Sequence, residues 1–498
     1  MEVNFKFNKI VMKNTVSFIL CFFIISVTFS QTWTQLGSDI NGEYINDRAG
    51  QSVSISSDGT TVAIGSPSQN NAQGNGIGYV RVYTWNGSNW IKKGATINGE
   101  IGFIGFGLSV SINSDGTNLI AGAVDYGIYK GQARVFFWNG TAWIQKGSSI
   151  SGDVFNDRLG YAVSINSDGN TIATGAPWNI GKAKVFSWDG NAWIQKGVDI
   201  VGNYDLTGYA VSLSADGNDI VIDGKWASSG GINAFGQVRA YNWNGNAWIQ
   251  KGVNILGDPS YANNGYGISM SSDASTIAIG SPFYYSTANR GGLVSVYSWI
   301  GNSWIQKGAS LPGEVLGGSD YTGYAVNLSS DGNTLAIGAP ANEDNGSSAG
   351  STRVYHWNGS NWIQKGLDID GAINSSSGHV VGISSDGNRV IIGSPSPNTN
   401  TTGFARVYEY TAVNDVAEYN KMEEEIYPNP GQGIITIKLL KPAFMLEIMD
   451  VAGKQIRRNS VLTTEHHISL DVFSLDPGIY FAKIYYKNEN KILKFIKN

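Results

Sequence analysis

Side chains able to do chemistry are scarce in this chain. It has four histidines and one cysteine in 498 residues. His356 occupies a position held by Thr84, Phe137, Ser187, Asn242 and Ser298 in equivalent stretches, the mark of a variable strand residue and not of a general base. His466 and His467 are adjacent, and strand alternation sends them to opposite faces, which does not suit a metal pair. The locally acid-rich stretch "NEDNG" at 342–346 offers Glu343 and Asp344 as the carboxylates that would suit a hard cation such as calcium. Glu43, Glu100, Asp153, Asp258 and Glu314 recur one at a time in "INGE", "ISGD", "ILGD" and "LPGE", with Asn203 and Ala372 breaking the series. A lone recurring acid most economically accepts hydrogen bonds from loop backbone N–H groups; a ring of weak cation or sugar sites is the alternative. The glycine-rich "GNGIG" at 74–78 has no helix after it to cradle phosphate. No catalytic constellation is visible, so the expectation is a protein that is not an enzyme and carries no cofactor, calcium excepted.

Aromatic residues are the other candidates. Tyr126, Tyr129, Trp178, Trp226, Phe235, Phe283, Tyr284 and Tyr285 fall outside the regular pattern, in connections of variable length. They would stack on a glycan or pack against a protein ligand. The competing reading, that they only order their own loops, is equally open.

The elements that would position these groups follow from composition. Sixty-four glycines against 15% charged residues describe a turn-rich β protein, and 42% hydrophobic residues are ample for a core. Lys13 precedes the apolar run "VSFILCFFIISVTF", which reads as a secretory signal peptide over residues 1–30, with Met12 as an alternative start. Without residues 1–30 the chain keeps 31 basic and 38 acidic residues, a net charge of −7, so no nucleic-acid partner is indicated. Cys21 lies in the leader, so the mature chain has neither disulfides nor thiolate chemistry. No transmembrane segment is expected in it.

Two elements repeat. "WNGSNWIKKG" at 85–94 returns at 138, 188, 243, 299 and 357, six copies in all. "VSISSDGTTVAIGSP" returns around Asp58, Asp115, Asp168, Asp216, Asp273, Asp331 and Asp386, seven copies. Residues such as "RVYTW" at 81–85 alternate with the two-residue period of a strand, and Asn86-Gly87 and Asp58-Gly59 supply tight hairpin turns. Four short strands about every 50–58 residues read as propeller blades. The seventh unit ends at "GFARVYEYT", 403–411, without its final strand, and "WTQLG" at 33–37 is the missing copy. The expectation is an all-β chain: a seven-bladed β-propeller over 31–411, closed by an N-terminal strand. The large aromatics within the repeats would fill the gaps between blades.

"FGLSVSINSDG" at 106–116, "GYAVSINSDGNTIATGAP" at 160–177 and "LAIGAPANEDNGSSAGSTRVYHW" at 335–357 resemble the FG-GAP repeat of integrin-α-type propellers. That resemblance implies calcium loops with several carboxylates, yet here each Asp-Gly loop carries one acid, which suits a hairpin turn.

Past residue 411 the chain changes character. Residues 412–424 read as a polar linker, and 425–498 alternate as strands of a small C-terminal β-sandwich domain. Tyr427-Pro428-Asn429-Pro430, Gly433, Asp450-x-x-Gly453-Lys454, Gly478 and Tyr480 occur in an order that resembles the sorting domain of the type IX secretion system. The resemblance implies contact with the type IX secretion machinery and a secreted or outer-membrane surface-attached protein. The function expected is a secreted or cell-surface binding or adhesion protein, a monomer, with a glycan or protein ligand on the variable-loop face. An extracellular enzyme acting on polysaccharide, or a structural surface protein without a selective ligand, are the alternatives.

Overall fold

The computed structural model describes residues 32–67, 77–100, 105–125, 129–225, 236–257, 264–284, 291–314, 320–395, 401–411, 426–439, 441, 443–460, 467–486 and 490–498. The signal peptide and the linker expected at 412–424 lie outside these residues. The chain divides into two compact units, Ser30–Ala412 and one containing Val413–Asn498.

The larger unit holds seven sheets, one per repeat. In blade one the strands Ser52–Ile55, Thr61–Ser66, Tyr79–Trp85 and Trp90–Lys92 run antiparallel from the axis outward, and Ile97–Asn98 returns to pair with the start of the third strand. The innermost strands of successive blades touch in one closed circle, the seventh against the first. Alternation explains the packing: on Thr61–Ser66 every residue is buried because neighbouring blades cover both faces.

Glycine sets how closely blades approach. A Cβ on Gly175 would stand 1.9 Å from the carbonyl oxygen of Gly208 in the next blade, so nothing larger fits this backbone crossing.

At the end of the disc bearing the Asp-Gly turns, backbone hydrogen bonds form a closed ring. Ser57, Ser114, Ser167, Ala215, Ser272 and Ser330 each donate N–H to the equivalent carbonyl of the next blade, and Ser385 donates to Ser57 at 2.8 Å. A cavity of about 120 Å³ lies at this ring, and one of about 280 Å³ lies at the loop face.

The missing strand is where the repeat count places it. Thr32–Gln35 pairs antiparallel with Phe404–Thr411, with Trp33 opposite Tyr410. In blades two to six the Trp of "WIQKG" donates its indole N–H to the lysine carbonyl of the preceding blade, as Trp143 does to Lys93 at 2.8 Å. The same lysine lays its ammonium over the next blade's tryptophan pair, 5.6 and 5.7 Å from the rings of Trp138 and Trp143, and donates to the Gly116 carbonyl. The repeated aromatics thus do fill the gaps between blades.

The smaller unit is a sandwich of a three-stranded and a four-stranded sheet. Ile435, Ile437 and Leu470 from one and Leu446, Ile448, Ile484 and Phe495 from the other share a single buried core. Its motif residues act in turns and sheet ends. Asp450 accepts N–H bonds from Ala452 and Lys454, both at 2.9 Å, across a turn that Gly453 completes at φ 78°. Asn429 accepts from the Ile496 N–H at 2.9 Å, and Tyr480 stacks on Phe495 while donating to the Asp476 carbonyl.

Candidate functional site

At the loop face the inner strands begin with one residue per blade after a left-handed glycine: Gln51, Leu108, Tyr161, Tyr209, Tyr266, Tyr324 and His379. These residues line a cavity of about 280 Å³ at the open mouth of the channel. From blade three to blade seven they form a continuous aromatic arc. Centroids lie 4.6 Å apart for Tyr161 and Tyr209, 5.3 Å for Tyr209 and Tyr266, 4.5 Å for Tyr266 and Tyr324, and 4.9 Å for Tyr324 and His379. All five are half-buried, and the Tyr209 and Tyr266 hydroxyls are 3.2 Å apart. Burial raises the pKa of Tyr161, Tyr209 and Tyr324, so these hydroxyls stay protonated as donors across physiological pH.

Charge surrounds the arc. Arg158 lies 4.8 Å over the Trp178 ring and 5.2 Å over Tyr129. Lys225 points its ammonium at both Tyr209 and Tyr266, 3.8 Å from each centroid. Burial pulls its pKa down to about 8. Burial, helped by the charge of Arg48, pulls His379 down to about 4, so its imidazole is neutral at pH 7.

Several loop aromatics join the arc. Trp178 packs on Tyr161 at 5.1 Å, and Phe283 on Tyr266 at 5.6 Å and on Tyr321 at 5.2 Å. Tyr129 stands further out, edge-on to Phe155 at 6.4 Å, and the Tyr284 N–H closes a turn on the Ser281 carbonyl. Tyr126, Trp226, Phe235 and Tyr285 lie outside the described residues. Sequence reasoning missed the arc itself. Its signal was present in the repeated "GYAV" and "GYGI", where a tyrosine recurs before the apolar strand residues.

The acids behave differently from one another. Asp344 comes together with Glu314 and Asp368, one carboxylate oxygen of each within 4.8 Å of the others, an arrangement that could hold a hard cation. Glu343 is not in that group. Glu314 is pushed up to about 7, first by its hydrogen bond with Asp344 and then by burial, while that bond holds Asp344 low. The recurring connection acids are strand clasps: Glu43 meets Arg81 at 3.3 Å, Glu100 meets Arg134 at 3.2 Å, and Asp153 meets Lys184 at 2.8 Å. The acceptor of loop N–H groups expected at these positions is instead a second acid further along. Asp47 accepts from Glu43 and Tyr44 at 2.8 and 2.7 Å, and Asp157 accepts from Asp153 and Val154. The reason is reach: the later acid faces back into its own loop, where its buried carboxylate meets two N–H groups. Asp258 is outside the described residues. In the Asp-Gly turns, Asp58 accepts from the Ser56 hydroxyl and the Thr60 N–H, at 2.6 and 2.9 Å, which is a turn-forming role.

Fold and mouth together define a seven-bladed β-propeller with an aromatic-lined axial opening, followed by a β-sandwich. Residues 425–498 match the family described as a secretion system C-terminal sorting domain. That match assigns the chain to type IX export, and so to the cell surface or the exterior. No curated protein matches the chain. Among solved structures it is similar to hydrazine synthase of Kuenenia stuttgartiensis, at 14% identity and TM-score 0.51, covering 76% of this chain and 99% of that one. It is also similar to a chain of the mitotic checkpoint complex, at 12% identity and TM-score 0.48, covering 81% and 98%. At 14% identity the likeness to hydrazine synthase is one of fold alone. No helix among the described residues is long and apolar enough to cross a membrane.

Proposed function

We propose that this chain is a surface-displayed or secreted recognition protein whose propeller binds a glycan or protein ligand at the loop-face mouth of its channel. One observation carries the reading: Tyr161, Tyr209, Tyr266 and Tyr324 converge on one cavity at positions where inter-blade packing requires no aromatic, since Gln51 and Leu108 serve in blades one and two. Flat rings with hydroxyl tips suit the apolar faces and hydroxyl rims of sugars, and suit protein side chains equally. The FG-GAP resemblance agrees with an adhesive role, and the sorting domain would deliver the ring to the exterior.

A second reading, an extracellular enzyme acting on polysaccharide, draws on the neutral His379 and the depressed Lys225 at the same mouth. A glycan array probed with the full chain separates the two, run beside an assay for new reducing ends in polysaccharide. Selective binding lost in Tyr161→Ala and Tyr324→Ala, without polysaccharide cleavage, supports recognition. Cleavage favours the enzyme. An array without a hit, together with normal cell adhesion by a deletion strain, would sink the recognition reading.

A further inference from the structure

Blade four breaks the repeat at two positions beside the mouth. Where its flanking blades carry Gly175 and Gly280 it carries Asp223, and where they carry Pro177 and Pro282 it carries Lys225. Asp223 is fully buried; its Oδ1 accepts the Ala210 N–H at 2.8 Å, and its Oδ2 has no hydrogen-bond partner. Burial pushes this carboxyl above the usual carboxylate range, and its Oδ2 makes no hydrogen bond to the lysine two residues on.

Lys225 is itself buried, and among the described residues no carboxylate forms an ion pair with it. Its ammonium is held by the faces of Tyr209 and Tyr266, at 3.8 Å from each. A desolvated cation without a counter-anion is unfavourable, and ring faces offset only part of that cost. The groups facing it are Tyr209 from its own blade, Tyr266 from the next, and Asp223 from its own strand, which acts on it through charge and not through a hydrogen bond. An anion at the mouth, which Tyr209 and Tyr266 line, would pair with it directly.

We infer that the blade-four side of the mouth is an anion subsite that takes the carboxylate of an acidic sugar. Lys225 is the ion partner, and the Tyr209 and Tyr266 hydroxyls, 3.2 Å apart, offer the hydrogen bonds beside it. This rests on the mouth being the ligand site, and it adds the charge class of the ligand. A cavity of about 280 Å³ sits at the small end of ligand pockets, sized for a terminal sugar unit.

The test is calorimetric titration of the full chain with an oligoglucuronate, its methyl ester and a neutral oligoglucoside. At about pH 6 the acid binds roughly tenfold more tightly than the ester, and the preference shrinks at about pH 9 as Lys225 loses its proton. Lys225→Met abolishes the preference, whereas Lys225→Arg and Asp223→Asn retain it, which separates a charge role from a folding one. Equal affinity for acid and ester, or a preference that survives in Lys225→Met, overturns the anion subsite. If the neutral sugar binds as well as the acid and Tyr161→Ala abolishes both, the subsite falls and the mouth stands. If none of the three binds, the subsite falls, and the array decides the mouth.

Discussion

The indole N–H of Trp33 donates to the Lys365 carbonyl at 2.6 Å, joining residues 332 positions apart in the chain. The bond repeats what Trp143 does to Lys93 and Trp193 to Lys146 within the continuous chain. Lys365 returns the contact by placing its ammonium 5.8 Å over the Trp33 ring and 4.5 Å over Tyr410. On the other side, Trp90 of blade one donates to the Leu36 carbonyl at 2.8 Å. The N-terminal strand therefore seals both seams of blade seven. Trp33→Ala is expected to cost about 3 kcal/mol, the range for removing a large packed aromatic. Removing the strand through Gln35 would cost more, because it also leaves the Tyr408–Thr411 edge unpaired. Chemical denaturation of the two variants checks the order.

Glycines at a blade crossing and in an outer hairpin turn should tolerate substitution unequally. Gly175→Ala places a methyl 1.9 Å from a backbone oxygen that cannot move without its whole blade, so a loss above about 3 kcal/mol is expected. Gly140→Ala meets no atom within 4 Å and pays only for its φ of +99°, about 1 kcal/mol. Thermal unfolding of both variants reads the difference.

Asp223 and Lys225 make opposite pH signatures. The folded state holds a proton on Asp223 that the unfolded chain loses above its ordinary 3.8, so this group's contribution to stability falls as pH rises past about 4. Asp223→Asn should flatten that slope. Lys225 does the reverse: with its pKa down at about 8 against 10.5, the unfolded chain binds the extra proton, and stability rises between those values. Lys225→Met should be more stable than the parent at neutral pH, with the gap closing towards pH 10.5. Unfolding midpoints across the pH range test both signs.

The tail carries the export prediction. Removing residues from Ile426 onward should leave the propeller folded, since its core clusters draw on none of those residues, but held in the periplasm. Fractionation of cells producing the truncated chain checks it; surface display without the tail would contradict it.

The closing strand was legible because Trp33 and Gly37 copy a motif already seen six times, and a repeat with one strand too few must find it elsewhere. The sandwich was legible from spaced turn residues such as Asp450 and Gly453. The mouth was not. Tyr161 and Tyr324 look like ordinary strand residues in a linear reading, and only the circular arrangement of blades turns positions some fifty residues apart into neighbours. Asp223 is equally silent in a linear reading, since only the stacked blades show that it extends the strand Asp219–Gly224 into a crossing otherwise held by glycine. Asp344 met partners, Glu314 and Asp368, that lie in other connections, which no local acid count reveals.

The central claim is that recognition happens at the axial mouth and not on the outer loops. It is tested most directly by measuring affinity for the glycan or protein that the full chain captures, in Tyr209→Ala, Tyr324→Ala and the outlying Tyr129→Ala. A loss of about tenfold or more is expected in each mouth variant, from sugar or side-chain stacking lost at a packed ring, with Tyr129→Ala close to the parent. Binding that survives both mouth substitutions and fails in Tyr129→Ala would contradict it.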